Sequence, residues 1–448
     1  MRRNMLFCAI LLLAGCASID LEGERDGVIA GAAERAGLSA VEQQSLPQQV
    51  GRSDAVRHAL TANLDFRANL ADLGLARADL VEASRPGNPV FELVFFPKED
   101  EDDFLEIELA AGLVDVLATP WRARSARDSY DAAERRSILT TLDFIAEVER
   151  SWTRAVAAKQ RLELQANITR AAEAALVVAE ELRQAGNVAP IDLEREQVFA
   201  RQARMDLVEA EHATAQTVRA LALLIAAPDL TADRLPDRLQ HPGSAIDWPA
   251  TANLQDRNLM LEAYRLEADA LARNAGLENV QSVLDHTELR LIQEREDGDW
   301  YDGYAFETAL PLFDFGASRR ARARIEAVQA AERYEAATLA LHTSSRATEA
   351  EWLTAKAQAD MMRDDHLPGV ERLMERTLRQ YNAMQLGVFE LIATFQSTAA
   401  AGSAYVGALE RAHIAAIDAN LLIAGGWPDM AMASGASASA PARPAGDH

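Results

Sequence analysis

The chain has 448 residues, with 69 acidic against 45 basic side chains and a formal charge of −24 at neutral pH. A chain this acidic repels phosphates, which argues against a nucleic-acid partner. Apolar residues make up 49% of the chain but aromatics only 6%, and an alanine-rich, charge-rich composition of this kind favours long helices over sheets.

The N-terminus reads as an address rather than as structure. Arg2 and Arg3 precede an apolar stretch from Met5 to Leu13, and Ala14 and Gly15 follow. These are the charged, apolar and small-residue regions of a bacterial secretory signal, too short to span a bilayer as a helix. Leu13-Ala14-Gly15-Cys16 also has the pattern of a lipobox, after which bacterial lipoproteins are cleaved and acylated on cysteine. The alternative is an ordinary signal with an incidental cysteine. Residues 1–15 are expected to leave as the signal peptide and Cys16 to carry covalent lipid such as palmitate. By analogy with such lipoproteins, Ala17 in place of Asp favours the outer membrane. Each buried methylene contributes ~0.8 kcal/mol, so a multiply acylated Cys16 holds the chain firmly. Cys8 would go with the signal, leaving no thiol for disulfides, metal thiolates or covalent catalysis. No cofactor is expected beyond that lipid.

After a lipid-anchored segment, residues 16–52, the chain repeats itself. Thr61-Ala62-Asn63-Leu64 recurs as Thr251-Ala252-Asn253-Leu254, a shift of 190. Arg122-Ala123-Arg124 recurs as Arg320-Ala321-Arg322, and Ala132-Ala133-Glu134-Arg135 as Ala330-Ala331-Glu332-Arg333, both at a shift of 198. Self-similarity at long period means one structural unit used twice. Repeat 1 is assigned to residues 53–226 and repeat 2 to 251–425, with a linker over 227–250 and an Ala/Ser/Pro-rich, disordered tail over 426–448.

Each repeat opens with a helical stretch, about Asp54 to Ser84 and about Leu254 to Gly276. The first ends at "SRPGNP", where Pro86, Gly87 and Pro89 cannot continue a helix. A β-hairpin is expected next, over 88–114 in repeat 1 and 280–313 in repeat 2. "NPVFELVFF" puts Phe91, Leu93 and Phe95 on one face and Glu92 on the other. "FLEIELAAGL" puts Leu105, Ile107 and Leu109 opposite Phe104, Glu106 and Glu108. In repeat 2, Tyr304, Phe306 and Thr308 share a face, whereas neither face of "VQSVLDHTELRLIQ" is cleanly apolar. Alternation with period two and acidic turns between is the pattern of a membrane β-strand.

Long helical stretches follow, Arg122 to Gln184 and Arg319 to Asn382, with Pro368 the one proline inside them. At 1.5 Å per residue each is roughly 95 Å long, so each must lie against other rods. The first turns back at "QAGNVAPIDLE", where Gly186 can take positive φ and Pro190 suits a first helical turn. Along the return rod Ile191, Val198 and Met205 recur every seven residues, the spacing of a coiled-coil seam. The expected fold is therefore mainly α with a small β part: two tandem repeats of long helical hairpin plus β-hairpin. Four strands leave open edges that hydrocarbon does not tolerate. Three chains give twelve, a closed even number, and so a homotrimer with a twelve-stranded membrane β-barrel and an α-helical tube.

These residues resemble the outer-membrane efflux protein family, the TolC-like channel-tunnels, from about Ser53 to Gly426. "ASRPGNPVFELV" looks like the family's break into its first strand. "LPLFDFGASRRAR" (Leu310 to Arg322) is similar to its turn from last strand into long helix, and "LRQAGNVAPIDLEREQVFARQARMDLVEAE" resembles its first hairpin. The resemblance implies a passive exit duct in the outer membrane, extending into the periplasm. It docks through its hairpin tips onto a periplasmic adaptor protein and is joined by it to an inner-membrane pump. The first tip is Ala185 to Asp192, with Gly186, Asn187, Val188, Ala189, Pro190, Ile191 and Asp192 at the docking positions. The second is Ala383 onward: Met384, Gln385, Leu386, Gly387, Val388 and Phe389. Met384 stands where the family usually has glycine. Of two carboxylates that form a gating constriction in many relatives, only Glu390 is kept, the second position being Ala393.

No catalytic constellation is found: the eight histidines are scattered, with no HExxH, no paired metal spacing and no phosphate loop. Asp364-Asp365 reads as a solvated helix face, and Met430 and Met432 lie in the tail. The rival reading is a lipid-anchored periplasmic helical tube or scaffold whose β-region does not span the membrane, since strands of eight to ten residues are at the lower limit. The cargo is open among drugs, metal ions and secreted proteins, the acidic charge favouring cations.

Overall fold

The computed structural model describes residues 20–39, 45–97, 103–243, 246–284, 287–296, 299–308 and 315–428. Cys16 with its lipobox, residues 310–314 of the strand-to-helix motif over 310–322 and the tail from 429 lie outside them. In chain order the helices and strands are α1 (Leu21–Arg35), α2 (Arg52–Ala62), α3 (Leu64–Asn69), α4 (Ala71–Ala83), β1 (Val90–Phe96), β2 (Phe104–Gly112), α5 (Leu113–Gln184), α6 (Pro190–Leu224), α7 (Thr251–Arg257), α8 (Leu259–Leu284), β3 (Thr287–Glu296), β4 (Asp299–Thr308), α9 (Ala317–Met361), α10 (Leu367–Asn382) and α11 (Val388–Ile423). Among the described residues no helix is long and apolar enough to cross a membrane. The chain forms two compact units, one of residues up to Val28 with Asn69–Ser137 and Leu259–Thr338, the other of Ile29–Ala68, Ile138–Asn258 and Leu339 onward.

The first unit holds the sheet. Its strands are antiparallel in the order β1-β2-β3-β4, so β1 and β4 each keep one edge without a partner among the described residues. Charge pairs tie α8 to the start of α5: Arg135 to Glu262 at 3.0 Å, and Arg136 to Glu267 and Arg273 to Asp128 at closer range. The hydroxyl of Ser125, buried, donates to the carbonyl of Ala270 at 3.0 Å. Gly74 is required on α4 because a Cβ there would meet Leu21 Cδ2 at 2.2 Å.

The second unit is built on small residues. Trp352, Ala355 and Ala359 of α9 bury against Ala408, Ala412, Ala415 and Ala419 of α11. Ala172 of α5 packs on Ala200 and Ala203 of α6. Alanine on both faces lets two helix backbones approach closely, which is where the alanine-rich composition is spent. Arg150 reaches Asp418, and Arg161 reaches Glu410, so α5 is also pinned to α11 by charge. The linker lies on the same helices: Lys159 donates to the carbonyl of Leu235 at 2.7 Å, and His413 meets the carbonyl of Gln240 at 2.7 Å.

Several sequence expectations change. The helix expected over Asp54–Ser84 is three helices, because the side chain of Asn63 stops the first: its Oδ1 accepts from the amide of Phe66 at 2.8 Å and its Nδ2 donates to the carbonyl of Leu224 at 2.9 Å. Asn258 plays the same part in repeat 2, donating to the carbonyl of Gly426 at 3.1 Å from the same backbone conformation. The structural mate of Asn63 is therefore Asn258 and not Asn253, a register of 195 (258 minus 63) instead of 190. The first rod starts at Leu113, not Arg122, and runs through Pro120. The second is interrupted by a π-helical turn, Met362–His366, just before Pro368. Pro368 has no N–H for the carbonyl of Asp364, and a wider turn absorbs the mismatch. Helix α8 continues to Leu284, so the hairpin assigned to 280–313 begins only at Thr287. Ile191, Val198 and Met205 do not form the seam with the first rod. All three are exposed, and the seam is made by Ala200 and Ala203. A helix also forms at Leu21–Arg35 inside the expected anchor segment.

Candidate functional site

The two hairpin tips have one backbone design. At the first, Gly186 takes φ +77°, its amide donates to the carbonyl of Arg183 at 3.0 Å, and Asn187 donates to the carbonyl of Leu182 at 2.9 Å. At the second, Met384 takes φ +59°, its amide donates to Tyr381 at 2.9 Å, and Gln385 donates to Gln380 at 2.9 Å. Both are Schellman closures, in which a left-handed residue lets the chain satisfy the last helical carbonyls. The residues before the return helices match too: Ala189 at φ −68°, ψ 150° and Gly387 at φ −76°, ψ 160°. Pro190 and Val388 then start the helices, and Asp192 and Glu390 place a carboxylate in each first turn, where the helix dipole favours it. Glu390 is exposed.

The tips differ in side chains. Arg183 donates across the first tip to the carbonyl of Val188 at 3.1 Å, and Val188 is buried beneath it. The positions 198 further on are Tyr381 and Leu386, so that strap is missing from the second tip. Met384 is 94% exposed. Gly186 has open space around its Cβ position, so glycine is there for its backbone freedom alone.

The sheet register separates two faces. Phe91, Leu93 and Phe95 stand opposite Leu109, Ile107 and Leu105. The same face continues through Leu291 and Leu289 to Tyr304 and Phe306. The mixed segment of repeat 2 is thereby resolved: Leu289 and Leu291 join the apolar face, and Glu288, Arg290 and Ile292 the other. Toward the turns the apolar face ends in repeat 2, where Gln293 donates to Asp302 at 2.8 Å. The opposite face bears Glu92, Glu106, Glu108, Glu288, Glu294, Asp299 and Glu307 among the apolar Val90, Val94, Phe96, Phe104 and Ile292, with Arg290 as its one described cation. This hub gave no sequence signal, because its partners lie on three strands.

Where β2 runs into α5, Asp115 accepts from the amide of Gly87 at 2.5 Å and from Arg122. Arg122 also donates to the carbonyl of Asp115 at 3.2 Å, and its repeat mate Arg320 donates to the carbonyl of Phe315. The repeated arginines thus brace both helix entrances. Arg122 holds the Asp115 carboxyl below its usual range, more than burial raises it. The rods carry carboxyls that sequence reading did not single out. Burial pushes Asp143 up to about 7 and raises Glu149 and Glu196. Glu196 is 2% exposed, with one carboxyl oxygen buried without a hydrogen bond. Among the described residues no group of three or more His, Cys, Asp or Glu side chains is arranged to hold a metal ion.

No sequence-family model and no curated protein matches the chain. Solved structures match it closely in fold. The Campylobacter jejuni CmeC outer-membrane channel superposes with a TM-score of 0.69 at 14% identity, over 88% of this chain and 92% of that one. The open-state Neisseria gonorrhoeae MtrE outer-membrane channel gives 0.68 at 16% identity, over 84% and 90%. CusC, crystallised in connection with transmembrane channel formation, gives 0.68 at 15%, over 87% and 96%. The fold is that of the TolC-like channel-tunnels, and the neighbours are channels, not enzymes.

Proposed function

We propose that this chain, which has the channel-tunnel fold, is the outer-membrane exit duct of a tripartite efflux or type I secretion machine. Three copies join β4 of one chain to β1 of the next, close twelve strands into a barrel, and bring their rods into a tube through the periplasm. Cys16 supplies the lipid tether. The tips around Gly186 and Met384 dock onto a periplasmic adaptor, and an inner-membrane pump provides the energy. Glu390, exposed at the start of α11, contributes a ring of three carboxylates to the periplasmic end.

One observation carries the proposal: a four-stranded sheet with an exposed apolar face, a carboxylate-bearing opposite face and two edges unpaired among the described residues. In hydrocarbon such edges must be paired, and apolar-out, polar-in alternation is what a barrel wall requires. Stepwise conductance of the purified protein in planar bilayers tests it, and a folded assembly that never conducts would refute it. The scaffold reading draws on β1, whose seven residues fall short of the nine to eleven of a typical spanning strand. β2, with nine residues, and β3 and β4, with ten each, meet that length. Labelling of Asp103→Cys from outside intact cells separates the two: the duct requires labelling, the scaffold forbids it.

A further inference from the structure

The polar face of the sheet is a ladder of like charges. Glu92 stands directly opposite Glu108, Glu106 opposite Glu294, and Glu288 opposite Glu307. Like charges placed directly across two strands oppose pairing, and a low-dielectric wall strengthens the repulsion. Arg290 lies between two of these rows. Its guanidinium is 3.0 Å from Glu108 on β2 and 3.5 Å from Glu288 on β3, and it contacts Glu307 on β4 more closely still. One cation thus offsets part of the charge of both rows on the helix side, where Glu108 is buried, and joins three strands. The row nearer the turns, Glu106 with Glu294, makes no such contact, and neither does Glu92. With seven described carboxylates against one guanidinium, Asp299 of β4 included, the face keeps a charge of −6 per chain, seven minus one.

We propose that Arg290 is the charge-setting residue of the duct's membrane end: it offsets the charge of Glu108, Glu288 and Glu307 on the helix side and leaves the turn-side Glu106 and Glu294 uncompensated to favour cations. This rests on the duct reading, in which the polar face lines the lumen. Arg290 acts through Glu108, Glu288 and Glu307, so it is a positioning residue as well as a charge.

The test is the reversal potential of single channels in a KCl gradient, for the full-length protein and its variants. The unaltered duct is expected to prefer potassium to chloride. Arg290→Gln is expected to raise that permeability ratio at least twofold, and Arg290→Lys, which restores the charge, to return it toward the original. The paired change Glu106→Gln with Glu294→Gln should lower it at least twofold, and this arm stands if Arg290→Gln fails to assemble. An unchanged ratio in Arg290→Gln channels, or in the paired variant, overturns the inference while leaving the duct intact. Absence of conductance in the unaltered protein instead removes the duct, and the inference with it.

Discussion

Met384 shows how a single side chain departs from what its backbone asks for. Its φ of +59° lies in the left-handed region, where an L-residue with a Cβ is disfavoured by roughly 1–2 kcal/mol. Gly186 occupies the same position in the first tip without that strain. Ala226 at φ +53° and Gly425 at φ +101° form a second such couple at the other ends of the return helices. Met384→Gly should therefore raise the unfolding free energy by about 1 kcal/mol in denaturant titrations. A loss of stability would mean that the methionine makes a contact the chain alone does not show. Buried carboxyls give a pH effect of opposite sign to ordinary acid denaturation. Burial holds Asp143 at about 7 against the pull of Arg150, well above its unfolded value. The folded state thus binds the proton that the unfolded state releases, so this contribution is full below the unfolded pKa and is lost as pH rises toward 7. Between about pH 5 and about pH 8, Asp143→Asn should lose less of its denaturant midpoint than the unaltered protein. An identical loss would contradict the assignment.

At the scale of elements, what the sequence made legible was whatever local chemistry decides. Alternation over residues 91–95, 105–109 and 304–308 placed three strands, and glycine and proline placed the first tip. Features set by distant partners were not legible. Asn63 ends a helix by reaching Leu224, and no local pattern distinguishes it from the Asn of a match five residues out of register. The seven-residue stripe on α6 pointed to the wrong seam, because the tight contact is made by alanines and the bulky residues face outward. That contact has no spare volume. Ala412 of α11 is fully buried against α9, so Ala412→Leu should cost about 1–3 kcal/mol and separate the second hairpin. Limited proteolysis at the second tip, unchanged from the unaltered protein, would show that the seam had room after all.

For the whole molecule, the exposed stripe of Ile191, Val198, Met205 and Val208 and the open edges of β1 and β4 make the same demand. A lone chain leaves apolar helix surface and strand edges in water, and copies of itself supply matching surfaces around a closed ring. The repeat already gives each chain two of everything, so three chains offer six hairpins and twelve strands. Native mass spectrometry of the lipid-bearing protein released from detergent reads this demand out directly. A single species of three chains is expected. A well-folded monomer, stable without lipid or detergent, would contradict it.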